Sequence, residues 1–230
     1  LEKIMVDPFF GTQGHFQWGT SHLYSRYEPQ GILAVKNLTT QGFPEHHKFT
    51  GAYYRPRWKI KPNPCWACRF HHCNLVEITE GPYAGYKGEE AEFEVMMAFG
   101  SQIGQTDPAA ATVLGNETDR LGLEANETGW LMGMVIECYE AGVITREDTD
   151  GLEMTWGNAE AVRAMLYKIA RREGFGNTLA EGVKRAAEAI GPEAWNRGVF
   201  VLKGQSPRSH DHRARWSAMF DEATSNTGGQ

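Results

Sequence analysis

Three cysteines lie within nine residues of this chain, at Cys65, Cys68 and Cys73, in a C-x2-C-x4-C pattern. Thiolates this close together on one loop can occupy three corners of a single metal centre, so the loop is expected to fold around its sulfur atoms. Thiolate ligands favour either zinc or an iron–sulfur cluster. The loop residues alone leave both kinds of site open.

Either kind of site needs a fourth ligand. For zinc the candidates are His71, His72 and Cys138, and for a cluster they are Cys138 or a cysteine beyond Gln230. The chain has four cysteines in all, of which three are clustered, and this usage argues against a disulfide framework. It fits a reducing, cytoplasmic compartment.

Composition limits the class of protein. The chain has 230 residues, of which 41% are apolar, so it can bury a sizeable core. A formal net charge of −6 argues against binding to nucleic acid, and no run of 18 apolar residues predicts a membrane span. The sequence does not start with Met and stops in a Gly-rich turn, so we expect a piece of a longer protein.

Helical signals dominate after about residue 90. The predicted helices cover residues 90–103, 108–121 after an Asp107 cap, 127–141, a segment capped by Asn158 and a segment capped by Asn177. Residues 199–202 form a short apolar run, typical of a strand or a buried turn. The predicted fold is all-α and multihelical, with an irregular lead-in segment (residues 1–64) and a helical region (residues 65–230) that opens with the cysteine loop.

A series of short motifs follows the cysteines in a fixed order. They are Gly88 to Glu94, Asp119 to Glu124, Ala170 to Val183, Lys203-Gly204, His210 to Arg213 and Ala223 to Asn226. Their order and spacing resemble those of the tungsten-containing aldehyde ferredoxin oxidoreductase family, clearly so from Cys65 onward. The resemblance implies the family's two helical domains, a [4Fe–4S] cluster, and tungsten or molybdenum held by two pterins.

The resemblance assigns residues to these cofactors one at a time. Cys65, Cys68 and Cys73 match the cluster cysteines, although the family's usual second gap is three residues and here it is four. The fourth cluster cysteine belongs to a later motif that this sequence lacks. Glu94 matches a glutamate near the metal, where it would act as a general base. A solvated carboxylate at a helix start is the alternative for that residue.

The pterin contacts are implied in the same way. Asp119, Gly122, Leu123 and Glu124 match a D-x-x-G-L motif, with Glu124 in place of the usual Asp or Cys. Without the resemblance, this hexapeptide would be interpreted as a helix end.

Lys203, Asp211 and Arg213 match a second cofactor-contacting pattern, with His212 in place of proline. A salt-bridged loop is the alternative for these residues. Thr227 replaces an arginine of the family's Ala223 to Asn226 region, and the sequence stops before the histidine expected near the metal.

The family implies an enzyme that oxidises an aldehyde to a carboxylic acid. Electrons would pass through the cluster to ferredoxin or an electron-transfer subunit, and we expect an oligomer. One alternative is reduction of an aromatic acyl-CoA, as in the benzoyl-CoA reductase branch of the family. Another is a zinc-stabilised helical binding module without redox activity.

Overall fold

The computed structural model describes residues 13–68, 72–201 and 203–226. Among these residues, short helices come first: α1 (Gln13–Trp18), α2 (Leu23–Tyr27) and α3 (Gly51–Tyr54), with 3₁₀ turns between them. Three short strands follow: β1 (Lys59–Pro62), β2 (Asn74–Glu77) and β3 (Lys87–Glu89). The remaining helices are α4 (Phe93–Ala98), α5 (Pro108–Arg120), α6 (Ala125–Glu140), α7 (Ala159–Arg171), α8 (Phe175–Leu179), α9 (Val183–Ile190), α10 (Pro192–Trp195) and α11 (Trp216–Thr224).

This architecture confirms the multihelical prediction. The three long helices, α5 to α7, begin at side-chain caps that satisfy free N–H groups of their first turns. Asp107 accepts from the Ala109 N–H at 2.9 Å at the start of α5, and Glu124 accepts from the Asn126 N–H at 3.0 Å at the start of α6. Asn158 caps α7 as predicted, accepting from the Ala161 N–H at 3.2 Å.

The predicted helix over residues 90–103 is interrupted. It forms α4 and then a separate 3₁₀ turn at Ser101–Ile103, because Gly100 takes a non-helical conformation at φ −108° and ψ −105°. A side chain at Gly100 would also lie 2.4 Å from the Met96 carbonyl oxygen. The close packing at this glycine therefore limits the length of α4.

The last predicted cap is wrong. Asn177 lies inside the short helix α8, and the longer helix α9 begins only after Gly182, whose φ is +86°. The described part of the apolar run over residues 199–202 is neither helix nor strand, and Leu202 lies outside the described residues.

The sequence did not predict the antiparallel sheet, whose strand order is β1-β2-β3. Lys59 pairs with Glu77 across the first two strands, and Leu75 pairs with Glu89 across the next two. The loop that joins β1 to β2 carries all three clustered cysteines. The sheet therefore fixes where that loop begins and ends.

The core surrounds α4 and α6. Phe93, Met96 and Met97 on α4 and Trp130 on α6 are fully buried. Glycines let α4 approach both neighbouring helices: a Cβ at Gly115 on α5 or Gly129 on α6 would lie 2.2 or 2.6 Å from a side-chain atom of α4. None of the helices in the described part of the chain could span a bilayer.

Candidate functional site

The cysteine loop is the turn of a β-hairpin. Pro62 at the end of β1 pairs with Asn74 at the start of β2, and the Asn63 N–H donates to the Cys73 carbonyl at 3.0 Å. Within the loop, the Cys68 N–H donates to the Cys65 carbonyl at 3.1 Å. Residues 69–71, including the zinc candidate His71, lie outside the described residues. The hairpin thus brings the first and third cysteines to the same end of the sheet.

The sulfur atoms of this loop lie in unequal surroundings. Cys65 is exposed, whereas Cys68 and Cys73 are half-buried. The Cys73 thiol is hydrogen-bonded to Cys65. Burial, the Glu92 charge and this contact with Cys65 raise the pKa of Cys73 to about 12. The loop therefore keeps the Cys73 proton until a cation replaces it, since a coordinating cation deprotonates a thiol.

Two side chains, those of His72 and Glu92, converge on the Cys73 sulfur. The His72 Nε2 lies 3.0 Å from the Glu92 Oε1, and each of these atoms is 3.8 Å from the Cys73 sulfur. The Thr20 hydroxyl donates to Glu92 and accepts from the Phe93 N–H at 2.9 Å. Glu92, which directly precedes α4, is thus held between the hairpin loop and the lead-in segment.

His72 was a candidate zinc ligand from the sequence, whereas Glu92 was not assigned to the site. The partners of Glu92 are Cys73, His72 and Thr20, which lie 19 to 72 positions away along the chain, so its place in the site depends on tertiary contacts. The ligand atoms of His72, Cys73 and Glu92 all lie within 4.8 Å of one another. The sequence signal that pointed to this group was His72 as a zinc-ligand candidate next to Cys73.

Glu94 lies in the first turn of α4, two residues after Glu92. It is half-buried, and Phe93 and Met97 beside it are fully buried. Among the described residues, no hydrogen bond or ion pair engages its carboxylate. The clamped helix α4 therefore holds a carboxylate that makes no polar contact within the described part of the chain.

The Asp119 hexapeptide forms the tight connection between α5 and α6. Gly122 adopts φ +72°, the Gly122 N–H donates to the Asp119 carbonyl at 3.0 Å, and the Leu123 N–H donates to the Thr118 carbonyl at 3.1 Å. Asp119 and Glu124 are exposed, and partial burial together with the Glu89 charge raises the pKa of Asp119. This geometry is that of a helix end. It also leaves the carboxylate of Asp119 accessible.

Three of the sequence motifs meet at one cavity of about 490 Å³. Glu124 lines it from the hexapeptide, Gly182 from the segment before α9, and Gly204 from the Lys203-Gly204 pair. Glu127 lines it as well, and its carboxylate accepts from the Val183 N–H at 2.6 Å and the Ser206 N–H at 2.9 Å. Neither Asp119 nor Glu94 lines this cavity. Of the cofactor residues predicted from the sequence, Glu124 lines the cavity, and the others, Asp119, Gly122, Leu123, Lys203, Asp211 and Arg213, do not.

Residues 203–213, which we call the linking segment, run from this cavity to α4. Along the way the Trp130 indole donates to the Pro207 carbonyl at 2.8 Å, and the Ser209 N–H donates to the Asn126 side chain at 2.9 Å. Near the end of the segment, His210 packs against Phe93 with ring centroids 5.5 Å apart. One stretch of chain therefore contacts both the cavity and the helix that carries Glu94.

Three charged residues of the linking segment, Lys203, Asp211 and Arg213, are engaged within the protein. The Lys203 ammonium donates to the Ser225 carbonyl. Asp211 is 2% exposed and binds the Arg213 guanidinium through 2.9 Å and 2.7 Å contacts. The Arg213 side chain is itself 59% exposed, so its outer face remains open to solvent. These contacts have the form of a salt-bridged loop.

Cys138 lies elsewhere in the fold. It is fully buried on α6, and burial raises the pKa of its thiol to about 11. The charged groups nearest to it are Arg197, Glu137 and Glu193, none of which belongs to the cysteine loop. Its surroundings are those of a packed core thiol. Thr227 and the segment that follows it lie outside the described residues.

The thiols of the loop suit both metal chemistries named above. Cys73 contacts Cys65, and the ligand atoms of His72 and Glu92 lie within 4.8 Å of its sulfur. Thiolates with an imidazole are ligands that zinc uses, and closely spaced thiolates are those that an iron–sulfur cluster uses.

Comparison with known proteins covers the whole chain. The family model described as "Aldehyde ferredoxin oxidoreductase, domains 2 & 3" matches residues 2–230. The tungsten-containing aldehyde ferredoxin oxidoreductase of Pyrococcus furiosus is 33% identical over 236 residues, covering 100% of this chain and 37% of that protein. The "Aliphatic sulfonate oxidoreductase, WOR-like subunit" of the same organism is 33% identical over 191 residues, covering 81% of this chain and 30% of that protein.

A solved structure shares the fold. It is the active-site complex BamBC of benzoyl coenzyme A reductase, bound to 1,5-dienoyl-CoA, and it matches with a TM-score of 0.65 at 19% identity. The match covers 81% of this chain and 28% of that one. The chain spans 37% of the length of the curated aldehyde ferredoxin oxidoreductases that it matches.

Proposed function

This chain belongs to the aldehyde ferredoxin oxidoreductase family, and from that premise we propose that the protein is a tungstopterin, iron–sulfur oxidoreductase that converts an aldehyde to a carboxylic acid. The observation that carries the proposal is the hairpin loop, which places Cys65 and Cys73 in thiol contact beside α4. Its soft ligand set is the one that iron–sulfur clusters use. In this proposal Cys65, Cys68 and Cys73 hold the cluster.

The cavity supports a pterin site. Its lining combines carboxylates, which accept from ring N–H groups, with backbone at Gly182 and Gly204, whose positive φ values lie in the region that glycine tolerates best. In the proposal Glu124, Gly122 and Leu123 lie against one pterin and Asp119 accepts from its edge. Lys203 and Arg213, with Asp211 orienting Arg213, contribute positive charge for the cofactor phosphates.

The chain's residues have separate tasks in the proposed reaction. When bound, the tungsten pterin and the cluster would supply two-electron oxidation followed by release of single electrons. Aldehyde and water yield acid, two protons and two electrons. Glu94 takes a proton from the water that adds to the carbonyl carbon. The buried side chains on either side of Glu94 limit access of bulk water to it. The electrons leave for ferredoxin or an electron-transfer subunit.

Metal analysis of the full-length protein, purified without oxygen, tests the cofactors. We expect tungsten or molybdenum, about four iron atoms per chain and a broad visible absorbance from the cluster. Cys68→Ala should lose iron and absorbance, whereas Cys138→Ala, in the core, should keep both. Zinc in place of iron and tungsten would instead support a zinc-stabilised binding module.

The role of Glu94 has its own test. Glu94→Gln should lower kcat by about 10²- to 10⁴-fold, the usual contribution of a general base, while metal content and absorbance stay unchanged. Glu188→Gln, at an exposed site on α9, is the matched control and should have wild-type kcat. A Glu94→Gln enzyme with full activity would remove the general base from the proposal.

Reduction of an aromatic acyl-CoA is the second candidate reaction. The observation that favours it is His72, an imidazole placed beside Cys73 in a cysteine loop one residue longer than the family's usual one. The chain also shares its fold with a benzoyl coenzyme A reductase complex. Assays of aldehydes and of aromatic acyl-CoA thioesters, run side by side with a viologen dye, decide between the two reactions.

A further inference from the structure

A second, smaller cavity of about 180 Å³ lies between the end of the linking segment and α11. It shares no lining residue with the cavity at Glu124 and Gly204. Its titratable and charged lining side chains are Arg208, His210, His212, Arg215, Asp221 and Glu222. None of these residues has been given a role above, and together they place two imidazoles and two guanidiniums at one cavity.

His210 is the buried member of this group. It is 3% exposed, and its Nδ1 has no hydrogen-bond partner among the described residues. The ring is held by Phe93 at 5.5 Å and by Tyr27 at 5.9 Å between centroids. An unpaired buried nitrogen costs about 1–3 kcal/mol, so a ligand that supplies a polar atom would relieve that cost.

The two arginines are also without ion-pair partners. Among the described residues, no carboxylate oxygen lies within 4.0 Å of the Arg208 or Arg215 guanidinium, in contrast to Arg213 nearby. Arg215 instead lies over the Tyr27 ring, 5.7 Å from its centroid. Two guanidiniums at one small cavity are suited to an oxyanion, which each can bind through two N–H groups.

The two acidic residues of the cavity differ in their contacts and exposure. The Glu222 carboxylate is 3.0 Å from the His212 Nδ1 and accepts from the Arg208 backbone N–H. Asp221 is exposed at the edge of the cavity. Two guanidiniums against two carboxylates leave the lining close to neutral, so a singly charged ligand fits this balance better than a doubly charged one.

We propose that this cavity binds the carboxylate group of a small organic acid, held by the guanidiniums of Arg208 and Arg215 and by an N–H of His210. The inference rests on the proposed function only in one respect, since a carboxylic acid is the product class of aldehyde oxidation. Binding itself needs no turnover. Burial and the nearby Arg215, His212 and Arg208 charges lower the pKa of His210 to about 3, so at pH 7 the imidazole is neutral and can donate one N–H.

Calorimetric titration of the full-length protein at pH 7 tests the site. The probes are acetate, benzoate and inorganic phosphate, each titrated without electron acceptor. We expect one carboxylate site per chain, and Arg208→Gln and Arg215→Gln should each weaken it by about tenfold or more, the usual effect of losing one charged hydrogen-bond donor. Arg208 is exposed, so its variant keeps the test informative if Arg215→Gln destabilises the fold.

Arg171→Gln is the matched control. Arg171 lies over Tyr167 at 5.6 Å, much as Arg215 lies over Tyr27. Its variant should bind carboxylates within twofold of the wild type, and His210→Phe should bind them more weakly. Absence of carboxylate binding, unchanged binding in both arginine variants, or tighter binding of phosphate than of either carboxylate would overturn the proposal. Because these measurements involve no oxidation, they remain valid if the protein proves inactive on aldehydes.

Discussion

His210 is the residue whose ionisation folding changes most clearly. Its pKa falls from an ordinary 6.5 to about 3, because burial and the charges of Arg215, His212 and Arg208 oppose a protonated ring between Phe93 and Tyr27. Between these two values the unfolded chain binds a proton that the folded chain does not. The contribution of His210 to stability is therefore complete above pH 6.5 and is lost as the pH falls toward 3.

This linkage predicts a specific pH dependence. From pH 6 to pH 4.5 the wild type should lose ~2 kcal/mol of unfolding free energy through this one group, and His210→Phe should lack that loss. Urea unfolding at a series of pH values measures the difference. His47→Phe, at an exposed histidine, should follow the wild-type curve. Parallel curves for wild type and His210→Phe would show that folding does not hold the imidazole neutral.

At the scale of single residues, the sequence predicted those whose contacts are with their own chain neighbours. The caps Asp107 and Asn158 follow from the residue types that begin helices, and the structure has both. Glu92 was not predicted as part of the site, because its contacts with Thr20, His72 and Cys73 are tertiary. No pattern in one sequence indicates which of four acids near residue 90 will face a loop.

At the scale of elements, the position of α4 decides where Glu92 and Glu94 lie. The helix has six residues and little stability of its own, so its neighbours must hold it. Gly115 and Gly129 permit this by bringing α5 and α6 into close contact with it. The glycines in these two helices cost some helix propensity but allow an approach that any side chain would prevent.

Substitution of Gly129 tests this clamp. In Gly129→Ala the new Cβ would lie 2.6 Å from the Ala98 Cβ, so the fold should lose about 1–3 kcal/mol, as overpacked cores do. Adding Ala98→Gly removes one of the two clashing methyl groups and should restore part of the loss. Thermal unfolding of both single variants and the double variant measures the coupling. Strictly additive effects would show that the two helices do not press on each other here.

The sequence predicted elements unequally. Helices α5 to α7 follow from their caps and apolar spacing. The hairpin was missed because β1 is only four residues long, has lysine at every second position and carries mostly exposed side chains. Its pairing with β2 comes from tertiary placement and from ion pairs such as Lys59 with Glu77, at 2.7 Å. The cysteine spacing predicted a ligand loop, but not that a hairpin would support it.

At the scale of the whole molecule, the described residues bury a continuous core, and helix α11 has an apolar face in solvent. On α11, Trp216, Met219 and Phe220 are 73%, 47% and 66% exposed. Their spacing places them on one side of the helix, next to the carboxylate cavity proposed above. Contiguous apolar surface of this kind promotes association in water.

From the apolar face of α11 we therefore expect this 230-residue chain to associate in a concentration-dependent way. Sedimentation velocity should show the average mass rising with concentration, and Trp216→Ser combined with Phe220→Ser should shift the distribution toward monomer because it removes the largest apolar groups of the face. Phe16→Ser, at an exposed aromatic on α1, should leave the association unchanged. A wild-type chain that stays monomeric at every concentration, or a double variant that associates as strongly, would mean that the α11 face is not the surface through which copies meet.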